Sequence, residues 1–111
     1  MRRTSPVPPE HLPTPFEVVT ETTGDGARVT ARGAIDLSTA SRFEIALRDA
    51  AGDHDCVDVD LTAVEFMDST GLRALMAAHR DERGGGIGVV AMSPQVQRLF
   101  RVAGVNGLLT R

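Results

Sequence analysis

The chain has 111 residues, an apolar fraction of 41% and a formal net charge of −3. This length suits one domain with a single hydrophobic core. The acidic balance gives no indication of a general affinity for nucleic acid or for anionic membranes, and no apolar run approaches the roughly 20 residues of a membrane-spanning helix. Because Cys56 is the only cysteine, no intramolecular disulfide can form, and we expect a cytoplasmic protein in a reducing compartment.

The chain contains no lysine, so all twelve Lys-plus-Arg positions are arginine. This excludes a phosphate-binding loop that ends in Gly-Lys-Ser/Thr. It also excludes Schiff-base chemistry on a side-chain amine. A two-component receiver domain is disfavoured as well, because receivers rely on a lysine near the phosphorylated aspartate.

The first part of the sequence predicts a tail followed by a hairpin. Residues 1–15 hold five of the six prolines and have no apolar periodicity, which is typical of a flexible or polyproline-like tail. Residues 16–22 and 27–33 have the composition and alternation of strands. The Gly-Asp-Gly turn between them predicts that the two strands pair antiparallel.

Helices and strands alternate after this hairpin. The predicted elements are a helix over 38–52, a strand over 56–61, a helix that follows residue 70 and ends at 81–86, a strand over 87–92, a helix from Ser93 and Pro94 to Gly104, and a short strand within 105–111. The β-β-α-β-α-β-α order predicts a mixed α/β domain in which crossover helices connect parallel strands. The apolar faces of these elements predict a core that contains Val57, Val59, Leu72, Leu75, Met76, Val89, Leu99 and Phe100.

Other candidate sites have ordinary structural explanations. The acidic run with His and Cys at 53–60 resembles a metal site, but neighbouring strand side chains point to opposite faces, so we expect a polar loop entering a strand. The glycines of 84–88 precede a strand and do not join a strand to a helix, which excludes a dinucleotide loop. His79 lies on an apolar helix stripe and is expected at the edge of the core. We therefore predict no catalytic residues, no metal site and no cofactor.

The run "FMDSTGLRAL" at 66–75 carries the strongest signal. Asp68, Ser69 and Thr70 stand between an apolar pair, expected to anchor the loop, and an amphipathic helix. Residues of these types at such a position more often serve only to cap the helix. A phosphorylated hydroxyl is the alternative, because free backbone N–H groups and the helix dipole favour a phosphate at a helix start.

The motif resembles a known family when its surroundings are included. "VDVDLTAVEFMDSTGLRALMAAHR" at 57–80 is similar to the signature of the STAS domain, and specifically to bacterial anti-sigma factor antagonists. "GAIDLSTA" at 33–40 resembles a second segment of that family, with Asp36 at its acidic position. "QRLFRVAGVNGLL" at 97–109 resembles the third helix and the turn beyond it. The resemblance extends from Phe16 to the carboxyl terminus and implies the STAS fold over 16–111.

The resemblance also implies a mechanism. The unphosphorylated protein would bind an anti-sigma factor that is itself a serine kinase, and this binding would free the sigma factor. Phosphorylation at Ser69 would reverse binding, and a PP2C-type phosphatase would restore it. The implied partner-binding residues are Asp36, Asp68, Ser69, Thr70 and Gly71. The chain would then be a substrate and a binding partner, not an enzyme.

Three features depart from the family pattern. Relatives often continue into a last helix that covers part of the sheet, whereas this sequence stops at Arg111, so some apolar surface is expected to be exposed. The proline-rich tail is an addition, and Asp58 stands where relatives often carry an apolar residue.

STAS domains also act as non-switching scaffolds in stress-sensing or lipid-transport assemblies, and in that alternative Ser69 would be only a cap.

Overall fold

A computed structural model describes residues 14–24, 26–81 and 86–111. The elements are β1 (Glu17–Thr23), β2 (Gly26–Ile35), α1 (Ala40–Asp53), β3 (Val57–Met67), α2 (Ser69–Asp81), β4 (Ile87–Met92), α3 (Pro94–Ala103) and α4 (Asn106–Leu109). The four strands form one sheet in the order β1-β2-β3-β4. β1 pairs antiparallel with β2, and β2, β3 and β4 are parallel. The predicted mixed α/β architecture is therefore confirmed.

The prediction of a strand within 105–111 was wrong for most of that range. The chain turns at Gly104, whose φ of 73° is left-handed, and then forms the short helix α4. A helical turn brings Val105 and Leu109, four residues apart, to the same side, and both are buried. Only Thr110 forms an isolated parallel bridge, with Val89.

β3 is longer than the predicted strand over 56–61. Its pairing with β2 contains two register shifts, between Thr30 and Arg32 and between Gly33 and Ala34. Beyond Leu61 the buried positions of β3 are spaced three residues apart, at Val64 and Met67. The irregularity breaks the two-residue alternation by which a strand is recognised in a sequence.

The core lies against the central strands β2 and β3. All predicted core residues are buried except Met76 and Leu99, which are partly buried and pack against the core. β1 is an edge strand on which only Val18 is half-buried. No helix in the described segments is long and apolar enough to cross a bilayer.

The unusual Asp58 has a structural explanation. Its neighbours Val57 and Val59 are buried, so the side chain of Asp58 points to the other face of the sheet. There its Oδ1 lies 2.9 Å from Nε of Arg111, and Nη2 of Arg111 donates to the carbonyl of Val57 at 2.9 Å. An acidic residue is accommodated because it does not enter the core.

Of the predicted tail, residues 1–13 lie outside the described part of the chain. Thr14 and Pro15 cross above Gly33 of β2. A Cβ placed on Gly33 would lie 2.7 Å from the carbonyl oxygen of Thr14 and 2.8 Å from that of Pro15. Gly33 also has a φ of 87°, so its conformation and the close approach both favour glycine.

We predict that Leu75→Ala lowers the free energy of unfolding by about 2–5 kcal/mol, because Leu75 is only 1% exposed. Leu37→Ala is the matched control, since Leu37 is 81% exposed and should change stability by no more than about 0.5 kcal/mol. Urea unfolding of both variants measures the difference. Equal losses would show that α2 turns a different face to the core.

Candidate functional site

Two loops meet at the carboxyl ends of β2 and β3. Ile35 and Met67 are register partners in these parallel strands, so the residues that follow them, Asp36 and Asp68, emerge side by side. The backbone N–H of Asp68 donates to the carbonyl of Ile35 at 3.2 Å, which ties one loop to the other. The structure thus brings together two acidic residues that are far apart in the sequence.

Asp68 is the N-cap of α2. Its Oδ1 accepts hydrogen bonds from the backbone N–H of Thr70 at 2.9 Å and of Gly71 at 3.2 Å, and from the Thr70 hydroxyl. These bonds, led by that of the Thr70 hydroxyl, lower the pKa of Asp68, whereas desolvation and the nearby charge of Asp36 act in the opposite direction. The carboxylate is therefore ionised at neutral pH and fixed in orientation.

Asp36 is held by the loop that leads into α1. Its Oδ1 accepts from the backbone N–H of Ser38 at 3.0 Å and from the Ser38 hydroxyl at 2.8 Å. The Ser38 hydroxyl is the main cause of the lowered pKa of Asp36. The buried hydroxyl of Thr39 closes the turn: it donates to the carbonyl of Ala34 at 2.8 Å and accepts from the N–H of Asp36 at 2.9 Å. This bracing role of Thr39 was not predicted from the sequence.

Ser69 is the first residue of α2 and is exposed. Its hydroxyl makes no hydrogen bond to any residue in the described ranges, whereas the hydroxyl of the half-buried Thr70 donates to Asp68. The capping role therefore belongs to Asp68, and of the two neighbouring hydroxyls only that of Ser69 is unengaged. This local geometry results from Asp68 standing at the N-cap position, because an N-cap side chain bonds the second and third helical N–H groups.

The expectation of free N–H groups at this helix start was wrong for Thr70, Gly71 and Leu72. The N–H groups of Thr70 and Gly71 bond to the Asp68 carboxylate, and that of Leu72 bonds to the Asp68 carbonyl at 3.1 Å. A phosphate on Ser69 would have to displace the Asp68 carboxylate to reach them. A charge added at Ser69 consequently faces solvent beside an existing negative charge.

Gly71 has a packing role in the structure. A Cβ at this position would lie 2.7 Å from Cγ2 and 2.8 Å from the carbonyl oxygen of Ile35, and 2.9 Å from Cγ of Met67. Gly71 is buried, so its backbone lets the first turn of α2 rest directly on the end of β2. It supports the surface from below and does not itself form part of it.

Two exposed apolar side chains flank the loops. Leu37, next to Asp36, is 81% exposed, and Phe66, two residues before Asp68, is 52% exposed. Phe66 was expected to anchor the loop together with Met67, but only Met67 is buried. Both residues lie in the bulged half of β3, where the buried positions are three residues apart, so no two-residue alternation in the sequence indicated which of the two is buried.

The acidic run with His and Cys at 53–60 does not converge on one point. Nδ1 of His54 lies 3.0 Å from the carbonyl of Ala50, Cys56 is exposed, and Asp58 pairs with Arg111. Across residues 14–24, 26–81 and 86–111, no three His, Cys, Asp or Glu side chains are placed to share a metal ion. His79 lies at the edge of the core as expected, with Nδ1 2.9 Å from the carbonyl of Ile87.

We predict that Gly71→Ala destabilises the fold by about 1–3 kcal/mol, because the added methyl group overpacks against the backbone of Ile35. Gly52→Ala is the control. Gly52 also lies in a helix, but a Cβ at this position would have no neighbour within 4 Å, so alanine should stabilise α1 by about 0.5–1 kcal/mol. Thermal unfolding compares the two. A stabilised Gly71→Ala variant would contradict the close approach.

We predict that the Asp68 cap loses its contribution to stability in acid. An unfolded aspartate has a pKa of about 3.9, and the pKa of Asp68 in the folded chain is lower. The stabilisation is therefore complete above the unfolded value and disappears as the pH falls through the folded value. Asp68→Asn is the reference, because asparagine caps a helix comparably but does not titrate.

Urea unfolding of both proteins from neutral pH down to about pH 2 measures this difference. The stability of the wild type relative to Asp68→Asn should decline across the acid range. Parallel stability curves for the two proteins would show that Asp68 has the same pKa in the folded and unfolded states.

Comparisons with known proteins identify the family of the chain. The family model described as "Mlab, STAS domain" matches residues 18–110. No curated protein matches the chain. Among solved structures, an anti-sigma factor antagonist from Mycobacterium paratuberculosis is 30% identical, with 88% of this chain and 87% of that chain covered and a TM-score of 0.79.

Two more distant structures share the fold. The anti-sigma factor antagonist SpoIIAA in its unphosphorylated form is 16% identical, with 85% and 86% of the two chains covered and a TM-score of 0.65. An antisigma-factor antagonist STAS domain from Rhodobacter sphaeroides is 23% identical, with 69% and 85% covered and a TM-score of 0.53. From the family model and the 30% identical relative together, the chain belongs to the STAS-domain family of anti-sigma factor antagonists.

Proposed function

We propose that this chain is a phosphorylation-controlled antagonist of an anti-sigma factor. In its unphosphorylated form it binds an anti-sigma factor with serine kinase activity, and the sigma factor is released. Phosphorylation of Ser69 ends the complex, and a PP2C-type phosphatase restores the binding form. The observation that carries this proposal is the exposed and unengaged hydroxyl of Ser69 next to the fixed carboxylate of Asp68.

The docking surface in this proposal is formed by the two loops. Asp36 and Asp68 present ionised carboxylates in fixed orientations, and Leu37 and Phe66 add exposed apolar area at either side. In protein complexes, desolvated apolar side chains supply much of the affinity, and charges fix orientation and the rate of encounter. The surface therefore suits a partner with a basic group near an apolar contact.

The chain takes part in the chemical step as a substrate. Oγ of Ser69 attacks the γ-phosphorus of ATP on the kinase, the bond from that phosphorus to the bridging oxygen breaks, and ADP leaves. The hydroxyl proton passes to a base supplied by the kinase. Water later hydrolyses the phosphoserine on the phosphatase and releases inorganic phosphate. The catalytic groups belong to the partner enzymes, and this chain contributes the positioned hydroxyl.

Phosphorylation changes the surface through charge. It adds about −1.5 to −2 charges at neutral pH, next to the carboxylate of Asp68, which itself lies near that of Asp36. Two of the helix N–H groups that could neutralise this charge, those of Thr70 and Gly71, already bond to Asp68. The added charge is therefore directed at the partner, and the complex dissociates without any refolding of the STAS domain.

We predict that Ser69→Ala abolishes phosphorylation and retains kinase binding, since the hydroxyl makes no bond within the described residues that the fold would lose. Ser69→Asp should weaken binding on the order of tenfold, about 1.4 kcal/mol, because it adds a like charge beside Asp68. Thr70→Ala should still be phosphorylated. Purified candidate kinases, phosphosite mapping and titration calorimetry provide the measurements.

Thr23→Asp is the matched control for charge. Thr23 is exposed and lies at the far end of β1, paired with Gly26, so an aspartate there changes net charge equally but away from the loops. Binding of Thr23→Asp should match the wild type. If Ser69→Ala is phosphorylated normally, or if Ser69→Asp binds as tightly as Thr23→Asp, the switch is excluded and a static scaffold role takes its place.

A further inference from the structure

Residues 36–39, between β2 and α1, form a turn that is closed by a buried hydroxyl; we refer to it as the Asp36 turn. Among the described residues, only Thr39 and Ser93 are both polar and buried, and Thr39 is 8% exposed. Threonine is mostly found at protein surfaces, because burial of a hydroxyl costs free energy unless the hydroxyl is hydrogen-bonded. The bonds that compensate for the burial of Thr39 therefore show what this residue holds together.

The Thr39 hydroxyl bonds two parts of the chain at once. It donates its proton to the carbonyl oxygen of Ala34 at 2.8 Å, and its oxygen accepts from the backbone N–H of Asp36 at 2.9 Å. The backbone N–H groups of Thr39 and Ala40 in turn donate to the carbonyl oxygen of Asp36, at 3.1 and 2.8 Å. The N–H and the carbonyl of Asp36 are thus both held, which fixes the direction in which its side chain leaves the backbone.

The sheet alone does not fix Asp36. β2 ends at Ile35, which is also its last residue paired with β3, and α1 begins only at Ala40. The Ser38 hydroxyl donates to the Asp36 carboxylate, but Ser38 is exposed and belongs to the same turn, so it moves with Asp36. Thr39 is the side chain that bonds the turn back to β2.

We propose that Thr39 is a positioning residue for partner binding: its hydroxyl holds the Asp36 carboxylate in the place near Asp68 where an anti-sigma factor contacts it. Thr39 lies beneath the surface and does not itself touch the partner. A carboxylate that is already immobilised loses less conformational entropy when a complex forms, and its fixed direction selects the cationic group that it can meet. Binding through Asp36 rests on the proposed function, whereas the hold on Asp36 does not.

Three variants separate this role from a general loss of stability. Thr39→Val removes the hydroxyl and leaves the Asp36 N–H and the Ala34 carbonyl without this partner, whereas Thr39→Ser keeps a hydroxyl at the same place. Ser93→Ala is the matched control, because Ser93 is 5% exposed and its hydroxyl accepts from the N–H of Val96 at the start of α3, not from either loop. If Thr39→Val does not fold, Thr39→Ala replaces it, since the smaller side chain leaves room for a water.

Carbon-13 NMR of the Asp36 carboxylate, followed from neutral pH into acid, tests the hold without any partner. In the folded chain the pKa of Asp36 lies below its ordinary value, chiefly because of the Ser38 hydroxyl. Thr39→Val should raise this pKa towards the ordinary value, because a loosened turn weakens the bonds from Ser38. Thr39→Ser and Ser93→Ala should titrate as the wild type does. An unchanged pKa in Thr39→Val would show that the turn holds Asp36 without Thr39 and would overturn the proposal.

Titration calorimetry with the kinase that phosphorylates the wild type at Ser69 tests the role in binding. Thr39→Val should bind about tenfold more weakly, whereas Thr39→Ser and Ser93→Ala should bind as the wild type does. Equal weakening in Thr39→Val and Ser93→Ala would reduce the effect to lost stability. A raised Asp36 pKa with undiminished binding would show that the partner does not use the position of Asp36. A wild type that no kinase binds would overturn the proposed function and this role together, while the NMR titration would still report the hold on Asp36.

Discussion

The whole surface depends on the junction between the ends of β2 and β3. The Asp68 N–H bonds to the Ile35 carbonyl, and Gly71 rests on the same residue without room for a Cβ. Parallel pairing alone would bring the two loops to one edge of the sheet. The hydrogen bond and the close approach fix their separation and the direction in which α2 leaves the sheet. A side chain at position 71 would push α2 away and separate Asp36 from Asp68.

The three short polar residues at this junction have different roles. Asp68 supplies the cap, Thr70 orients the Asp68 carboxylate, and Ser69 is left without a structural task among the described contacts. A side chain with no structural role can be chemically modified without disrupting the contacts of its neighbours. Because the N–H groups of Thr70 and Gly71 already bond to Asp68, an added phosphate could not use them, and its charge would act on an approaching partner.

Much of the fold could be predicted from the sequence because burial repeats with the period of each element. Leu72 and Leu75 recur with helical spacing, and Val57 and Val59 alternate as strand residues do. The prediction of element boundaries failed where burial has no regular period. The bulged half of β3 is too irregular to show one, and the single helical turn of α4 is too short. The fold class and family, in contrast, did not depend on these boundaries.

Only part of the site could be predicted from the sequence. The motif indicated that one of three side chains caps α2, but Asp, Ser and Thr are all good caps, and only the register of β3 decides which one stands at the N-cap. The contact of Asp36 with Ser38 and the bracing by Thr39 depend on the path of a loop that carries no periodic signal. Position 69 itself came from resemblance to a family, and the structure adds its exposure.

β1 has a consequence for motions of the domain. It is an edge strand with one half-buried side chain, and it pairs with β2 only as far as Arg32. Few buried contacts oppose its detachment, so its amide hydrogens should exchange with solvent sooner than those of β3. Gly33, Ala34 and Ile35 lie beyond that pairing and are held by β3 instead. A local opening of β1 therefore leaves in place the β2–β3 pairing from which the two acidic loops emerge.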